Sequence, residues 1–292
     1  MFGPTGVGKT ALAVALAERL GGAVVAVSAD ALQVYEGMPV LTGAAGPDEQ
    51  ARLEHRLLGF VPIHRTFSVG EYMPLAHREI DDALEAGTTP IVVGGTGLYL
   101  RAALTDLELR PPPPEDLRAR LEREADAAGA EALHARLAVR APGAAARVAP
   151  ADRSRVIRLL ELLEMGALED DDPAVESQLW TEDTRHPTLL AGLTMDRASL
   201  YERIERRVDQ MVGGGALEEV KAAHDAGASV TARKALGFQE LLVGDIDAMK
   251  TRSRQYARRQ LTWMRKLPNV EPIDVTGRSP EDVAADIASR AG

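Results

Sequence analysis

The chain has 292 residues, of which 45% are hydrophobic, and this is enough for one large or two modest folded domains with a substantial core. It contains no cysteine, which excludes disulfides, thiolate metal sites and a cysteine nucleophile. The net charge of −10, taken alone, argues against a nucleic-acid partner, and no apolar run approaches the roughly 18 residues that span a bilayer. Because no signal-peptide pattern is found either, we expect a soluble, cytoplasmic protein without a membrane partner.

The first predicted element is a phosphate-binding loop at residues 3–10. Its residues fit the pattern G-x-x-x-x-G-K-[ST] at every position: Gly3, Pro4, Thr5, Gly6, Val7, Gly8, Lys9 and Thr10. In such a loop the N–H groups point inwards, the lysine supplies a mobile cation, and the last hydroxyl can ligate Mg²⁺. This predicts a diphosphate or triphosphate ligand, with a solvated glycine-rich turn as the alternative. Only Met1 and Phe2 precede the loop, so we expect the strand before it to be missing or a stub, through a misassigned start or a truncation.

Alternating strands and helices follow the loop. β-Rich runs at residues 22–28 and 89–93 are separated by an amphipathic helix over residues 70–86. This order after a phosphate loop is typical of an α/β fold with a doubly wound parallel sheet. Ligands bind at the carboxyl ends of the strands in such sheets, which places Asp30 and Thr96 on the same rim as the loop.

The middle of the chain is predicted to be a helical insertion. Four prolines at residues 111–114 break the chain, and residues 115–168 then read as helix with no strand candidate. Strand character returns at residues 189–193, long helices follow, and residues 270–275 form a last strand. The acidic segment 169–173 is predicted to be a mobile loop. We therefore divide the chain into three parts. They are a P-loop core at residues 1–112, a helical insertion at residues 113–186, and a core completion with basic C-terminal helices at residues 187–292.

Charge is segregated along the chain. Residues 251–266 contain six basic side chains and no acidic one, and Arg153, Arg155 and Arg158 form a second basic cluster. A solvated charge run is the ordinary explanation of such a stretch. Segregation of this kind nevertheless permits a basic groove on an acidic protein.

Asp30 and Thr96 are the first candidates for chemistry. A carboxylate just past a strand can organise Mg²⁺, act as a general base, or cap the next helix. Thr96 can equally be the N-cap of the helix that follows it. The strand before Thr96 lacks the terminal aspartate with which nucleotide-hydrolysing P-loop enzymes hold their metal, and this counts against a motor or a switch.

An ordered set of motifs resembles the tRNA dimethylallyltransferase family over about nine-tenths of the chain. The motifs are GPT at residues 3–5, DALQVY at 30–35, GGTGLY at 94–99, RIERR at 203–207, LGF at 236–238 and YARRQLTWMR at 256–265. The resemblance implies transfer of a dimethylallyl group from dimethylallyl diphosphate to the exocyclic N6 amine of the adenosine that is 3′-adjacent to the tRNA anticodon. The sequence departs from the family at residues 41–45. The usual Gly-Thr-Ala-Lys-Pro stretch is replaced there, and its lysine is absent. Without cysteine there is no zinc finger, so the eukaryotic type is not expected.

Site roles follow from that resemblance. It implies that the loop residues, Thr10 with Mg²⁺, and Arg207 with Arg203 hold the diphosphate, that Asp30 is the general base, and that Thr96 lies near the reacting centre. A surface pair of either arginine with a neighbouring glutamate is the alternative. The implied tRNA-binding residues are Asp30, Ala31, Leu32, Gln33, Thr96, Arg118, Ser154, Arg155, Arg158, Lys234, Gly237, Gln239, Arg258, Arg259, Gln260, Trp263 and Arg265. For Arg118 the alternative is a solvated helix charge.

Three other functions stay open at this stage. The same chemistry on free AMP, ADP or ATP would make the protein an adenylate isopentenyltransferase of cytokinin synthesis. A small-molecule kinase would use Lys9 and Thr10 to hold ATP and Asp30 to activate a hydroxyl. A module that binds RNA and keeps a relic loop is the non-enzymatic alternative. The helical insertion and the arginine-rich helix favour tRNA, and we expect the protein to be a monomer.

Overall fold

The computed structural model describes residues 1–168 and 178–291 and divides into two compact units. The larger unit comprises Met1–Asp106 with Leu179–Gly292, and the smaller comprises Leu107–Gln178. The three-segment division proposed from the sequence stays a prediction, and the acidic loop predicted at residues 169–173 lies outside the described residues.

Parallel strands form the centre of the larger unit. β1 (Val24–Ser28) lies between β2 (Glu54–Arg56) and β3 (Thr89–Val93), while β4 (Leu190–Thr194) pairs with β5 (Val270–Asp274). All of these pairings are parallel, which confirms the predicted α/β class. The sequence does not predict β2, because its three residues are polar and carry no alternation of apolar side chains.

Phe2 joins these two sets of strands. It bridges Gly94 after β3 on one side and Gly192 in β4 on the other. Its N–H donates to the Ala191 carbonyl at 2.9 Å, and its carbonyl accepts from the Leu193 N–H at 2.8 Å. Phe2 is fully buried, as a central position in a parallel sheet requires. The strand before the loop is thus present as a stub, and it delivers the loop to the carboxyl ends of β1 and β3.

Helices alternate with the first strands. They are α1 (Lys9–Leu20), α2 (Pro39–Thr42), α3 (Pro47–Arg52), α4 (Val69–Glu85) and α5 (Gly97–Leu104). α4 begins at a capping box, in which the Ser68 hydroxyl accepts from the Glu71 N–H at 3.3 Å and the Glu71 carboxylate accepts from the Ser68 N–H at 2.9 Å. The middle of α1, residues 12–17, is buried, so the helix that starts at the loop is held in the core.

The smaller unit is helical, as the sequence predicts for this region. Its helices are α6 (Glu115–Ala128), α7 (Ala130–Arg140), α8 (Pro142–Ala146) and α9 (Arg153–Glu164). They enclose a core of their own, in which Leu121, Leu137, Val156 and Leu160 are fully buried. A separate core of this kind is what allows a compact unit to form within a longer chain.

The chain then completes the larger unit with α10 (Arg197–Gly213), α11 (Ala216–Asp225), α12 (Phe238–Val243), α13 (Ile246–Met264) and α14 (Pro280–Ala291). Aspartates cap two of these helices: Asp196 accepts from the Ser199 N–H at 3.0 Å, and Asp245 accepts from the Ala248 N–H at 2.9 Å. α10 and α13 pack against each other, and α13 also contacts α5. Residues of α10 and α13 form walls of a cavity, which is also lined by residues that follow β1 and β3.

Candidate active site

The loop at residues 3–10 has the backbone that phosphate binding requires. Gly6 and Gly8 have φ angles of 81° and 101°, in the left-handed region that favours glycine. Lys9 Nζ donates to the carbonyls of Gly3 and Pro4, each at 3.0 Å. α1 begins at Lys9, so its first N–H groups have no partner within the helix and face the loop.

A cavity of about 430 Å³ lies beside the loop, within the larger unit. The predicted site residues that line it are Thr5, Gly8, Lys9, Thr10, Asp30, Leu32, Gln33, Arg203, Arg207 and Gln260. Four other loop residues are buried: Gly3, Pro4, Gly6 and Val7. The predicted base and the predicted phosphate cradle therefore face the same space, with room between them for a ligand.

The cavity is electropositive. Lys9, Arg203 and Arg207 line it, against the carboxylates of Asp30 and Glu49. Burial lowers the pKa of Lys9 to about 8, helped by the positive charge of Arg207 and opposed by Asp30. Burial likewise lowers the pKa of Arg207, and Asp30 partly offsets that effect. Because these cations have lost part of their hydration on burial, their electrostatic attraction to an anionic ligand is stronger than that of solvated cations.

Asp30 is oriented by a tight turn. Its Oδ1 accepts from the Leu32 N–H at 2.9 Å and from the Gln33 N–H at 3.4 Å. No helix begins after Asp30, where residues 31–34 form a turn, so the carboxylate satisfies the amides of that turn and does not cap a helix. The turn thus fixes the orientation of a carboxylate that lines the cavity.

Thr96 lies beside the cavity, at the start of α5. Its side chain makes no capping hydrogen bond to that helix, and its Oγ1 accepts from the Ala31 N–H at 3.4 Å. The Tyr256 hydroxyl lies next to Thr96 and lines the cavity. Burial and the charge of Asp30 raise the pKa of Tyr256 to about 12, so this phenol stays protonated at neutral pH. The N-cap interpretation of Thr96 is wrong for its side chain, which instead supports the turn that carries Asp30.

Sequence reasoning missed Tyr256 as a site residue, although the pattern of α13 contains a signal. Met249, Ser253, Tyr256 and Gln260 line the cavity and recur at intervals of four, three and four residues. That spacing places them on one face of a helix. Of the arginines between them, Arg252, Arg258 and Arg259 are exposed, and Arg254 is half-buried in an ion pair with Glu205. The helix therefore has a cavity face and a basic outer face.

The buried side chain of Gln260 connects the phosphate-binding loop to the loop before α5. Its Oε1 accepts from the Thr5 N–H at 2.8 Å, and its Nε2 donates to the Gly95 carbonyl at 2.8 Å. The side chain is only 4% exposed. Both ends of the amide are therefore occupied by the protein backbone, which gives Gln260 a structural role, and its contact with tRNA stays a prediction.

Replacing Gln260 by alanine should lower the free energy of unfolding by about 2–4 kcal/mol, because it leaves a buried N–H and a buried carbonyl without partners. Denaturant unfolding measures this directly. The matched control is Gln255→Ala, on the exposed side of the same helix, which should change stability by less than about 0.5 kcal/mol. Equal stability of the two variants would rule out the bridging role.

Similarity to known proteins identifies the family of this chain. The sequence matches the IPP transferase family over residues 33–267. The chain belongs to the IPP transferase family. It is 40% identical to the tRNA dimethylallyltransferase of Geobacillus thermodenitrificans over 299 aligned positions, which cover 98% of this chain and 92% of that relative.

Solved structures agree with this membership. A full-length tRNA isopentenylpyrophosphate transferase from Bacillus halodurans superposes with a TM-score of 0.69 at 36% identity, covering 99% of this chain and 94% of the other. A eukaryotic dimethylallyltransferase acting on tRNA superposes with a TM-score of 0.75 at 26% identity, covering 99% and 76%. The P-loop fold is thus shared across the family, and the predicted family membership is confirmed.

In this IPP transferase the predicted RNA-contacting residues differ in exposure. Those on the surface are Ser154, Arg155, Lys234, Gln239, Arg258, Arg259 and Arg265. The half-buried ones are Asp30, Ala31, Leu32, Gln33, Thr96, Arg118, Arg158 and Trp263. Contact with tRNA stays a prediction for both groups, and it is physically simplest for the exposed cations, because phosphate oxygens can approach them from solvent.

Two of the predicted RNA contacts are engaged within the IPP transferase fold. The Gln33 Nε2 donates to the carbonyls of Thr42 and Gly43, at 3.4 and 3.2 Å. Gly237 is buried with a φ of 96°, and a Cβ there would lie 2.5 Å from Cε of Met249. Glycine is needed at that position for conformation and close packing, and its contact with RNA stays a prediction.

Trp263 packs against the start of α5. A Cβ on Gly97 would lie 2.0 Å from the Trp263 ring. The Trp263 ring also contacts the ring of Trp180, and the two ring centroids are 4.6 Å apart. Lys266 stands over the Trp180 ring at 5.5 Å. The Trp263 ring therefore packs against the residue that follows Thr96 and supports that loop. Contact of this half-buried ring with RNA stays a prediction.

Arg118 and Arg158 share one carboxylate in the smaller unit. Glu161 is fully buried, and it accepts from Arg118 Nε and Nη2 at 2.7 and 2.9 Å and from Arg158 Nη1 at 3.2 Å. Arg158 also donates to the carbonyls of Arg110 and Pro111. The interpretation of Arg118 as a solvated helix charge is wrong, because a buried carboxylate requires such partners.

Proposed function

We propose that the protein transfers a dimethylallyl group from dimethylallyl diphosphate to the N6 amine of the adenosine 3′-adjacent to the anticodon of tRNA. It is an enzyme of the prenyltransferase class that modifies tRNA. The observation that carries this conclusion is the shared cavity, in which Asp30 faces a loop and two arginines built to hold phosphates. The family membership supports the same chemistry.

The residues account for the two halves of the reaction. When the allylic carbon–oxygen bond breaks, both electrons go to the diphosphate, whose added negative charge is stabilised by Lys9, Arg207 and the N–H groups of the loop. The N6 lone pair forms the new carbon–nitrogen bond. Its proton passes to the carboxylate of Asp30, which the turn already orients. The products are N6-prenylated adenosine, diphosphate and a protonated carboxyl.

We infer that Mg²⁺ binds with the diphosphate, held on the protein side by the hydroxyl of Thr10. Among the described residues there is no cluster of three or more acidic, histidine or cysteine side chains that could hold a metal. One hydroxyl in the cavity fits Mg²⁺, which is commonly bound through few protein oxygens together with substrate phosphates and water. When bound, the ion would neutralise charge on the departing diphosphate.

The remaining parts of the proposal concern location and assembly. Across residues 1–168 and 178–291, no helix is both long enough and apolar enough to cross a membrane. We propose a cytoplasmic enzyme, which the absence of cysteine fits. We also propose a monomer, since one chain supplies the cradle and the base of the cavity.

A labelling experiment tests the proposed function. The protein is incubated with dimethylallyl diphosphate labelled in the prenyl group, with and without excess EDTA, and offered total tRNA, AMP, or a hydroxyl-bearing metabolite with ATP. Label on tRNA that is lost with EDTA is the expected result. Label on AMP would instead identify an adenylate isopentenyltransferase. Transfer of a phosphoryl group from ATP to the metabolite, measured separately because it carries no prenyl label, would identify a kinase.

Binding of tRNA should depend steeply on salt, because the exposed arginines of α13, and Arg265 directly after it, release counterions from the RNA. Arg258→Gln and Arg265→Gln should each reduce the slope of log K against log salt by about 1. Filter binding or fluorescence anisotropy between roughly 50 and 200 mM salt measures this. Arg19→Gln, an exposed arginine at the far end of α1, is the matched control and should leave the slope unchanged. A flat salt dependence of the unmodified protein would contradict the proposed surface.

A further inference from the structure

One wall of the cavity is a short segment, residues 38–45, that has little structure of its own. Its helix, α2, has four residues, begins at Pro39, and has no capping side chain from Met38. Leu41, Thr42, Gly43 and Ala44 all line the cavity. Four residues are far too few to hold a helix in water, so contacts from elsewhere must fix this wall.

Glu219 of α11 supplies contacts at the N-terminal end of α2. Its Oε1 accepts from the Val40 N–H at 2.9 Å, and its Oε2 accepts from the Leu41 N–H at 2.8 Å. The first N–H groups of a helix have no partner within it, and Pro39 has none to offer. One carboxylate therefore accepts from two N–H groups that have no partner within the helix, although Glu219 is 179 residues from Val40 in the sequence.

Arg207 lies at the opposite end of the same segment. Its Nη2 is 3.5 Å from the Thr42 carbonyl, and a Cβ on Gly43 would lie 1.7 Å from the same nitrogen. The guanidinium thus rests directly on the backbone of Gly43. A shift of this backbone would move the guanidinium or open a gap beneath it, because no side chain intervenes.

We propose that Glu219 is a positioning residue for Arg207, acting through residues 40–43 as a rigid spacer. The carboxylate anchors the amide end of the spacer, and the carbonyl end supports the guanidinium that faces the diphosphate. This arrangement places negative charge at the start of the short helix and positive charge at its end, which matches its dipole. The inference rests on the proposed function of Arg207 and adds a residue outside the cavity lining.

The test separates this role from a general effect on folding by measuring inorganic pyrophosphate binding, which requires neither tRNA nor prenyl transfer. Glu219→Ala and Arg207→Ala should each weaken pyrophosphate binding about ten- to a hundredfold, the size of effect expected when a binding group is displaced by an ångström or removed. Glu219→Ala added to Arg207→Ala should change the affinity less than about twofold further, because the residue it positions is already gone.

Glu219→Gln is the second variant, in case the alanine variant does not fold. It retains the size of the side chain but presents an NH₂ group to a backbone N–H, so it should weaken binding in the same non-additive way. The matched control is Glu218→Gln, exposed on the same turn of α11, with unchanged binding expected. Thermal unfolding of each variant verifies folding.

Additive losses in the double variant would overturn the proposal, and so would a Glu219 variant that binds pyrophosphate as tightly as the unmodified protein. It is equally overturned if Arg207→Ala does not weaken binding, since nothing then remains for Glu219 to position. Failure of the proposed function has a different signature, namely that the unmodified protein transfers no label to tRNA, whatever the coupling between these two residues.

Discussion

Asp30→Asn should lower kcat for prenyl transfer to tRNA by about 10²–10⁴-fold, the usual contribution of a general base. Asparagine is isosteric with aspartate, and its Oδ1 can still accept from the Leu32 and Gln33 N–H groups that shape the turn. The amide cannot take a proton from the N6 amine. Single-turnover transfer of labelled prenyl groups, with tRNA binding measured in parallel, gives the two quantities needed.

The comparison with Asp30→Ala makes the test specific, because that variant loses the turn as well as the base. Similar loss of activity in both variants, with tRNA affinity nearly unchanged, would assign the effect to proton transfer. Asp225→Asn, which replaces an exposed aspartate on α11, serves as the control and should be fully active. If Asp30→Asn retained more than about a tenth of the activity, Asp30 could not be the general base.

The parts of the site that the sequence predicts well are those encoded locally. The loop pattern specifies its own backbone, since glycines at positions 6 and 8 permit the left-handed φ angles that curl it. Asp30 and Thr96 lie on the rim because each follows a strand of a parallel sheet. Such inferences need only a few neighbouring residues and a general rule of topology.

The parts that the sequence does not reveal depend on contacts between distant residues. Gln260 reaches Thr5 and Gly95, and Glu219 reaches Val40, across more than 150 residues in each case. An arginine-rich helix can be recognised from its composition, but which of its residues turn inwards depends on what it packs against. Composition therefore indicates neither the bridging role of Gln260 nor the presence of Tyr256 in the site, although both lie on the cavity face of α13.

The same limit explains the arginines of the smaller unit. In the sequence, Arg118 is one charge among many on a helix. Its partner Glu161 lies 43 residues later and is fully buried, so only the packing of α6 against α9 makes the pair visible. Charged side chains become structural when a fold buries their partner, and periodicity alone cannot indicate this.

Lys9→Met should remove most of the affinity for pyrophosphate at pH 7, a loss of about a hundredfold or more, because a desolvated cation at the centre of the cradle is replaced by a neutral chain of similar size. The affinity of the unmodified protein should also depend on pH. With a pKa of about 8, Lys9 is mostly charged at pH 7 and mostly neutral at pH 9, so its contribution to binding should fall about tenfold over that interval.

The sign follows from linkage: an anion binds the protonated lysine and raises its pKa, so binding takes up a proton above pH 8 and weakens as the pH rises. Pyrophosphate itself titrates, but its titration is common to both proteins, and the ratio of the affinities of the unmodified protein and Lys9→Met isolates the lysine. Isothermal titration calorimetry at pH 7, 8 and 9 measures that ratio. A ratio that stayed constant, or grew, as the pH rose would show that Lys9 is not the group that burial and Arg207 bring to a pKa near neutrality.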